Sequence, residues 1–287
     1  MTEHENAYTS LIEADDDARW AFGTSFDDPL AGVDTTVPRG VDAEALARYC
    51  LMLADDALVL AQRLAEWTTH APELEEEVAL ANIGLDLLGQ ARLLLARAAA
   101  ADPAIVPALP EGSPVPPDDR LAYFRDADAF LNVHLVEQRR GDFAATMARL
   151  LVFSSWRLAL LEGLRSSADP VLAAVAEKGV KEVRYHREHA ARWCITLAQG
   201  TDVSRERMIA ALDTVWPDVP ELRGTDPAEA FDEAMRVVDQ VMQGAGLVRP
   251  DVPSAMGRGR DGIHTESFAE LLGEMQGLAR EHPKGRW

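Results

Sequence analysis

Three side chains along one stretch could bind a metal: Glu182, His186 and His189, at spacings i, i+4 and i+7. On a helix they share one face. Asp86 and Gln90 repeat the i, i+4 spacing in an earlier stretch, and Asp55-Asp56 is a further pair of acids. A di-iron carboxylate bundle needs one carboxylate from each of two helices and a Glu-x-x-His from each of the other two, because i and i+3 deliver both ligands to one side. The literal Glu-x-x-His is absent from the long helical stretches, and a single Glu/His set cannot satisfy two iron ions. Two readings follow. In one, Asp55 or Asp56, Asp86, Glu182, His186 and His189 converge on a metal. In the other they make core hydrogen bonds and surface ion pairs, which Lys181, Arg184 and Arg187 make easy.

Other chemistry has weaker support. There is no Gly-x-Ser-x-Gly elbow, phosphate loop or dinucleotide fingerprint. Gly257-Arg258-Gly259-Arg260-Asp261-Gly262 could hold an anion through Arg258 and Arg260, but no strand precedes it, which favours a structural loop leading into a last helix. Cys50 and Cys194 are far apart and form no zinc spacing, as expected of buried thiols in a reducing cytoplasm. Trp67, Trp156 and Trp193 fall at core positions of helical patterns.

The elements that would position these groups are helices. Apolar periodicity of three, four and seven begins after Asp42, a suitable N-cap, and continues through Leu46, Leu53, Leu60 and Trp67 to about His70. A second helix starts near Pro72, its first turn rich in Glu, and stops before Asp102-Pro103. After a Pro-rich crossing and short helical pieces at 121–124 and 129–137, Gly141-Asp142 opens a third long helix to about Arg165. Asp169-Pro170 opens a fourth to Gln199, where Gly200 is expected to give a left-handed stop. Later helices are expected over 204–214, 227–243 and 265–281. The expected fold is all-α, a long four-helix bundle with additional C-terminal helices.

Composition narrows the partners. The 287 residues carry 48 acids against 28 bases, a formal charge of −20. Such a balance opposes binding to nucleic acid phosphates or an anionic membrane. No basic start followed by an apolar run suggests a signal peptide, and apolar runs are broken before a membrane span is complete. A cytoplasmic location is expected. Residues 1–40, rich in acids and sparse in apolar side chains, read as a disordered extension, with 41–287 as the folded domain.

Val78–Arg92 (VALANIGLDLLGQAR), Leu64-Ala65-Glu66-Trp67, His70–Glu75, Lys181–His186, Gly200–Ser204 and Gly262–Glu266 together resemble the C-type (PaaC) family among the subunits of phenylacetyl-CoA epoxidases (ring 1,2-epoxidases). The likeness runs from about Ala43 to Trp287. It implies a ferritin-like fold and kinship with the catalytic subunit of the same complex, whose di-iron centre uses O2 and reductase electrons in aerobic phenylacetate degradation. It also implies the partners: that di-iron catalytic subunit, a small bridging subunit and a flavin/iron–sulfur reductase.

In the register of the catalytic sister, Asp86–Gln90 and Lys181–His186 stand where its ligand runs lie. Leu87 and Val183 then replace ligand glutamates, Gln90 replaces a histidine, and His186 alone survives. Leu58 and Ser154 map near the lone carboxylates of the first and third helices. The resemblance therefore implies a non-catalytic structural subunit, with no catalytic, cofactor-binding or metal residue and no cofactor of its own. The alternative is a diverged metal-binding oxidoreductase using Glu182, His186 and His189.

Overall fold

The computed structural model describes residue 30, residues 32–225, residues 227–255 and residues 257–285. Four long helices dominate: α1 (Ala43–Ala65), α2 (Leu74–Ala101), α5 (Phe143–Leu164) and α6 (Pro170–Gln199). Two short helices, α3 (Pro117–Tyr123) and α4 (His134–Glu137), lie in the crossing between α2 and α5. Three more follow the bundle: α7 (Asp202–Val215), α8 (Ala228–Ala245) and α9 (Glu266–Glu281). No β-strand occurs among the described residues. The all-α expectation holds, and the architecture is that of the ferritin-like bundles.

Local chemistry sets the helix starts. Asp42, Asp142 and Asp169 each accept from the backbone N–H three residues on, at 3.1, 2.9 and 2.9 Å. These bonds satisfy amides that the first turn leaves open. Pro170 stands at the first position of α6, where its missing N–H costs nothing. Helix ends differ from the sequence expectation. α1 stops at Ala65 instead of continuing to His70, because Thr69 turns left-handed (φ 67°) and its N–H donates to Glu77 Oε2 at 3.0 Å. Gly200 has φ −78°, so it is not a left-handed stop; Thr201 and Ser204 instead form a reciprocal cap for α7. The left-handed glycine stop is at Gly246, after α8.

α1 packs along α2 and α5 along α6, with α7 and α8 against α5. One large core runs across them, and a smaller cluster of Leu158, Leu161, Ala176, Val180 and Val183 lies apart from it between α5 and α6. Trp67 and Trp193 both meet Phe143 edge-on, at 5.8 and 5.0 Å between centroids, and Trp156 is fully buried. Cys50 and Cys194 are buried free thiols, pushed up to about 12 by loss of water; they are poor nucleophiles. By length and composition alone α2 and α5 could each cross a membrane, but α5 lies inside the bundle.

Most of the expected extension 1–40 lies outside the described residues. In its described part, Leu30, Val33 and Val37 pack on the core. Arg97, buried on α2, is ion-paired to Asp169 and donates to the carbonyls of Thr35 and Thr36.

The C-terminal helix is tied to the bundle through a second buried acid. Glu137 accepts from His264 Nδ1 (2.6 Å), Asn132 Nδ2 (2.8 Å), Thr265 N (2.8 Å) and Thr265 Oγ1 (2.7 Å). Burial works to lift this carboxyl, but the bonds from His264 and Thr265 and the His264 charge outweigh it and hold Glu137 below its ordinary value. For His264 burial works downward. The bond to Glu137, its charge and the Phe130 carbonyl outweigh it and hold the imidazole above its ordinary value.

The two shifts bracket a pH window. A raised His contributes stability that is fully present below its unfolded value, 6.5, and lost as pH rises through the folded one. A depressed Glu contributes stability present above 4.5 and lost as pH falls through its folded value. The pair therefore contributes most between about pH 4.5 and 6.5. Thermal melts from pH 6 to 9 should show wild-type losing stability relative to His264→Gln. Parallel curves for the two proteins would remove His264 as the cause.

Candidate functional site

The four long helices meet in one chain of hydrogen bonds. Arg157 on α5 is fully buried; its Nη1 donates to the Leu53 carbonyl on α1 at 2.9 Å and its Nη2 to Gln90 Oε1 on α2 at 3.2 Å. Gln90 Nε2 in turn donates to Glu182 Oε2 on α6 at 3.0 Å. Gly179 makes this approach of α6 possible, since a Cβ there would come within 2.9 Å of Leu161 Cδ1 and 3.3 Å of the Gln90 amide carbon. Burial brings Arg157 down to about 10, with the Asp56 charge pulling the other way. It still carries its proton at pH 7, so a full positive charge sits within the bundle.

Around this chain the residues mapped to ligand positions are hydrocarbon or already bonded. Leu87 and Val183 are wholly buried and Leu58 nearly so. Ser154 Oγ donates back to the Leu150 carbonyl at 2.5 Å. Glu182 is pushed up by burial and by the Asp86 charge, against the Gln90 bond and Lys178, whose Nζ is 3.4 Å away.

Glu182, His186 and His189 do share the α2-facing side of α6, as their spacing predicts, but each meets a different α2 residue. Glu182 bonds Gln90, His186 Nε2 lies 2.9 Å from Asp86 Oδ2, and His189 Nε2 lies 3.1 Å from Glu76 Oε2 without hydrogen-bond alignment. Burial lowers His189, with Arg192 and His186 adding to it and Glu76 opposing. Tyr185 stacks on the His189 ring and stands edge-on to His186, at centroid distances of 6.1 and 6.5 Å. Among the described residues no three His, Cys, Asp or Glu side chains are grouped to hold a metal.

Asp55 and Asp56 face neither histidine. Asp55 receives both terminal nitrogens of Arg125, at 3.0 and 2.5 Å, and the Leu131 N–H at 2.9 Å. Asp56 receives both terminal nitrogens of Arg260, at 3.0 and 2.7 Å, and the Val133 N–H at 3.0 Å. The two acids clamp the α3–α4 connection and the glycine-rich loop onto α1. Arg260 is thereby committed to a strut between the loop and α1, while Arg258 is exposed and pairs with Asp261 at 3.0 Å.

A pair of iron ions does not fit this arrangement. Iron needs several anionic oxygen donors around it to offset its lost hydration. Leu87 and Val183 offer none, and the nearest ionic group on α5 is a guanidinium. Arg125, Arg157 and Glu137, the anchors of these networks, carried no signal in the sequence, because Asp55, Gln90 and His264 lie 70, 67 and 127 residues from them.

Residues 32–287 match the family described as phenylacetic acid catabolic protein. The chain is also similar to the C-type subunit of the 1,2-phenylacetyl-CoA epoxidase of Escherichia coli (strain K12): 41% identical over 256 residues, 84% of this chain and 99% of the relative. A match over nearly nine-tenths of the chain, together with this relative, places it: the protein belongs to the phenylacetic acid catabolic protein family.

Proposed function

We propose that this chain is the C-type subunit of a phenylacetyl-CoA 1,2-epoxidase and acts in it as a non-catalytic structural subunit, pairing with and stabilising the di-iron catalytic subunit. The likeness to the Escherichia coli protein over almost its whole length supports the assignment to this complex. One observation carries the structural role: the bundle centre is filled by Leu87, Val183 and the Arg157–Gln90–Glu182 chain, a set of groups suited to holding helices together. On this reading the chain needs no cofactor, the iron belongs to the partner, and the small bridging subunit and the flavin/iron–sulfur reductase complete a cytoplasmic assembly.

Co-expression with the catalytic subunit, followed by purification and iron analysis of each chain, tests it. Iron is expected at stoichiometric level only where the catalytic subunit is present, and the catalytic subunit should be more soluble with this partner than alone. Two irons per chain in the isolated protein would overturn the structural reading. Substituting His186→Ala provides a second check. Turnover per assembled complex should be unchanged, whereas a fall with assembly and catalytic-subunit iron intact would assign chemistry to this chain.

A further inference from the structure

α2 carries a second apolar face that the bundle does not use. Leu74, Val78, Leu85 and Leu88 are 72%, 52%, 63% and 43% exposed, and Ala81 between them is exposed as well. Their positions i, i+4, i+7, i+11 and i+14 form one stripe. Beside the stripe lies a groove of about 310 Å³ whose floor includes Leu58, Leu64, Trp67, Tyr123 and Met275. A second groove of about 330 Å³ shares Leu58, Leu88 and Tyr123 and continues past Leu95 and Arg92 to Asp118 and Asp119. From Leu74 to Arg92 this track runs roughly 27 Å at the helical rise of 1.5 Å per residue. Exposed apolar surface of that length and continuity marks an interaction face.

The charges at its ends narrow the occupant. Glu73, Glu75 and Glu77 stand at one end and Asp118 and Asp119 at the other, with Arg92 already paired to Asp118 at 3.6 Å. Two copies of this chain joined antiparallel along the stripe would bring acid against acid at both ends, on a molecule already at −20. An anionic lipid surface meets the same repulsion.

We propose that the exposed face of α2 and its groove seat an amphipathic helix of the catalytic partner subunit, about five turns long, apolar along its inner side and basic at both ends. The proposal rests on the pairing stated under Proposed function and specifies where that pairing occurs.

The test uses full-length chains co-expressed with the catalytic subunit and recovered through a tag on the latter. Leu85→Glu with Leu88→Glu should cut recovery at least about tenfold, a change of about 1.4 kcal/mol in association. Ile209→Glu, at an exposed apolar position on α7, should leave it unchanged. Glu73→Lys with Glu75→Lys should reduce recovery several-fold, and more so at low salt. Both substituted leucines are exposed, so the variant chain should melt like wild-type when purified alone. Equal recovery of the Leu85/Leu88 variant and wild-type overturns this docking face while leaving the pairing intact. Failure of wild-type itself to be recovered overturns the pairing and this proposal with it. A wild-type homodimer, or wild-type flotation with phosphatidylglycerol vesicles, that the leucine substitutions abolish would assign the face to a second copy or to lipid and overturn the proposed occupant.

Discussion

Replacing Asp55 by Ala is expected to cost about 3–5 kcal/mol of stability, the loss that follows when one member of a buried ion pair is removed and the other stays buried. Asp55 is fully buried and the side chain of Arg125 is 4% exposed. The remaining contacts of Arg125 do not neutralise its charge: it donates to the Leu121 and Ala129 carbonyls and lies 4.1 Å from the Phe130 ring centroid. Without Asp55 the cation must stay unpaired in the core or drag the α3–α4 connection outward, and the Leu131 N–H loses its acceptor. Urea unfolding should show the midpoint falling with little change in slope. Asp55→Leu combined with Arg125→Met should recover most of the loss, since the buried charge is removed with its partner. A cost below about 1 kcal/mol for Asp55→Ala would mean that the connection is held by its apolar contacts alone. The prediction also separates the two uses of an α1 carboxylate, because a metal ligand would be missed chiefly in metal content and a clamp is missed in stability.

Features decided within one helical turn could be read from the sequence. Asp42, Asp142 and Asp169-Pro170 announce helix starts because the capping bond closes over three residues. The hydrocarbon character of Leu87 and Val183 at ligand positions came from the family register and not from periodicity, since α2 is apolar on two faces and buries Leu87 while exposing Leu88. Spacing placed Glu182, His186 and His189 on one face but could not choose their partners. The choice depends on the register of α6 against α2, which Gly179 permits and no local pattern states. Nor could adjacency reveal that Asp55 and Asp56 diverge, one to Arg125 and the other to Arg260, 70 and 204 residues away. The stop of α1 at Ala65 escaped because the apolar pattern continues through Trp67 as a turn residue, its indole bonded to Thr146 at 3.0 Å. Long-range ionic partners and helix register are tertiary properties, and a single chain records only one half of each pair at a time.

The glycines of the 257–262 loop supply the other large expected effect. A Cβ on Gly259 would stand 1.9 Å from the Asn132 carbonyl oxygen and 3.1 Å from its carbon, both backbone atoms that cannot swing aside. Gly259→Ala must therefore lift the loop, breaking the 2.8 Å bond from its N–H to Glu221 and moving the next residue, Arg260, off Asp56. The expected cost is again roughly 3–5 kcal/mol, most of it from leaving the fully buried Asp56 with the Val133 N–H but no cation. Gly273→Ala is the matched control: it lies within α9 with nothing near the added methyl, and Ala there should gain about 0.5–1 kcal/mol. If the stranded carboxylate is the main component, Gly259→Ala and Asp56→Ala must be strongly non-additive. With Asp56 gone, displacing Arg260 forfeits little more, and the double variant should cost much less than the sum of the singles. Additive costs would locate the strain in the Asn132 contact itself and reduce the Arg260–Asp56 pair to a bystander.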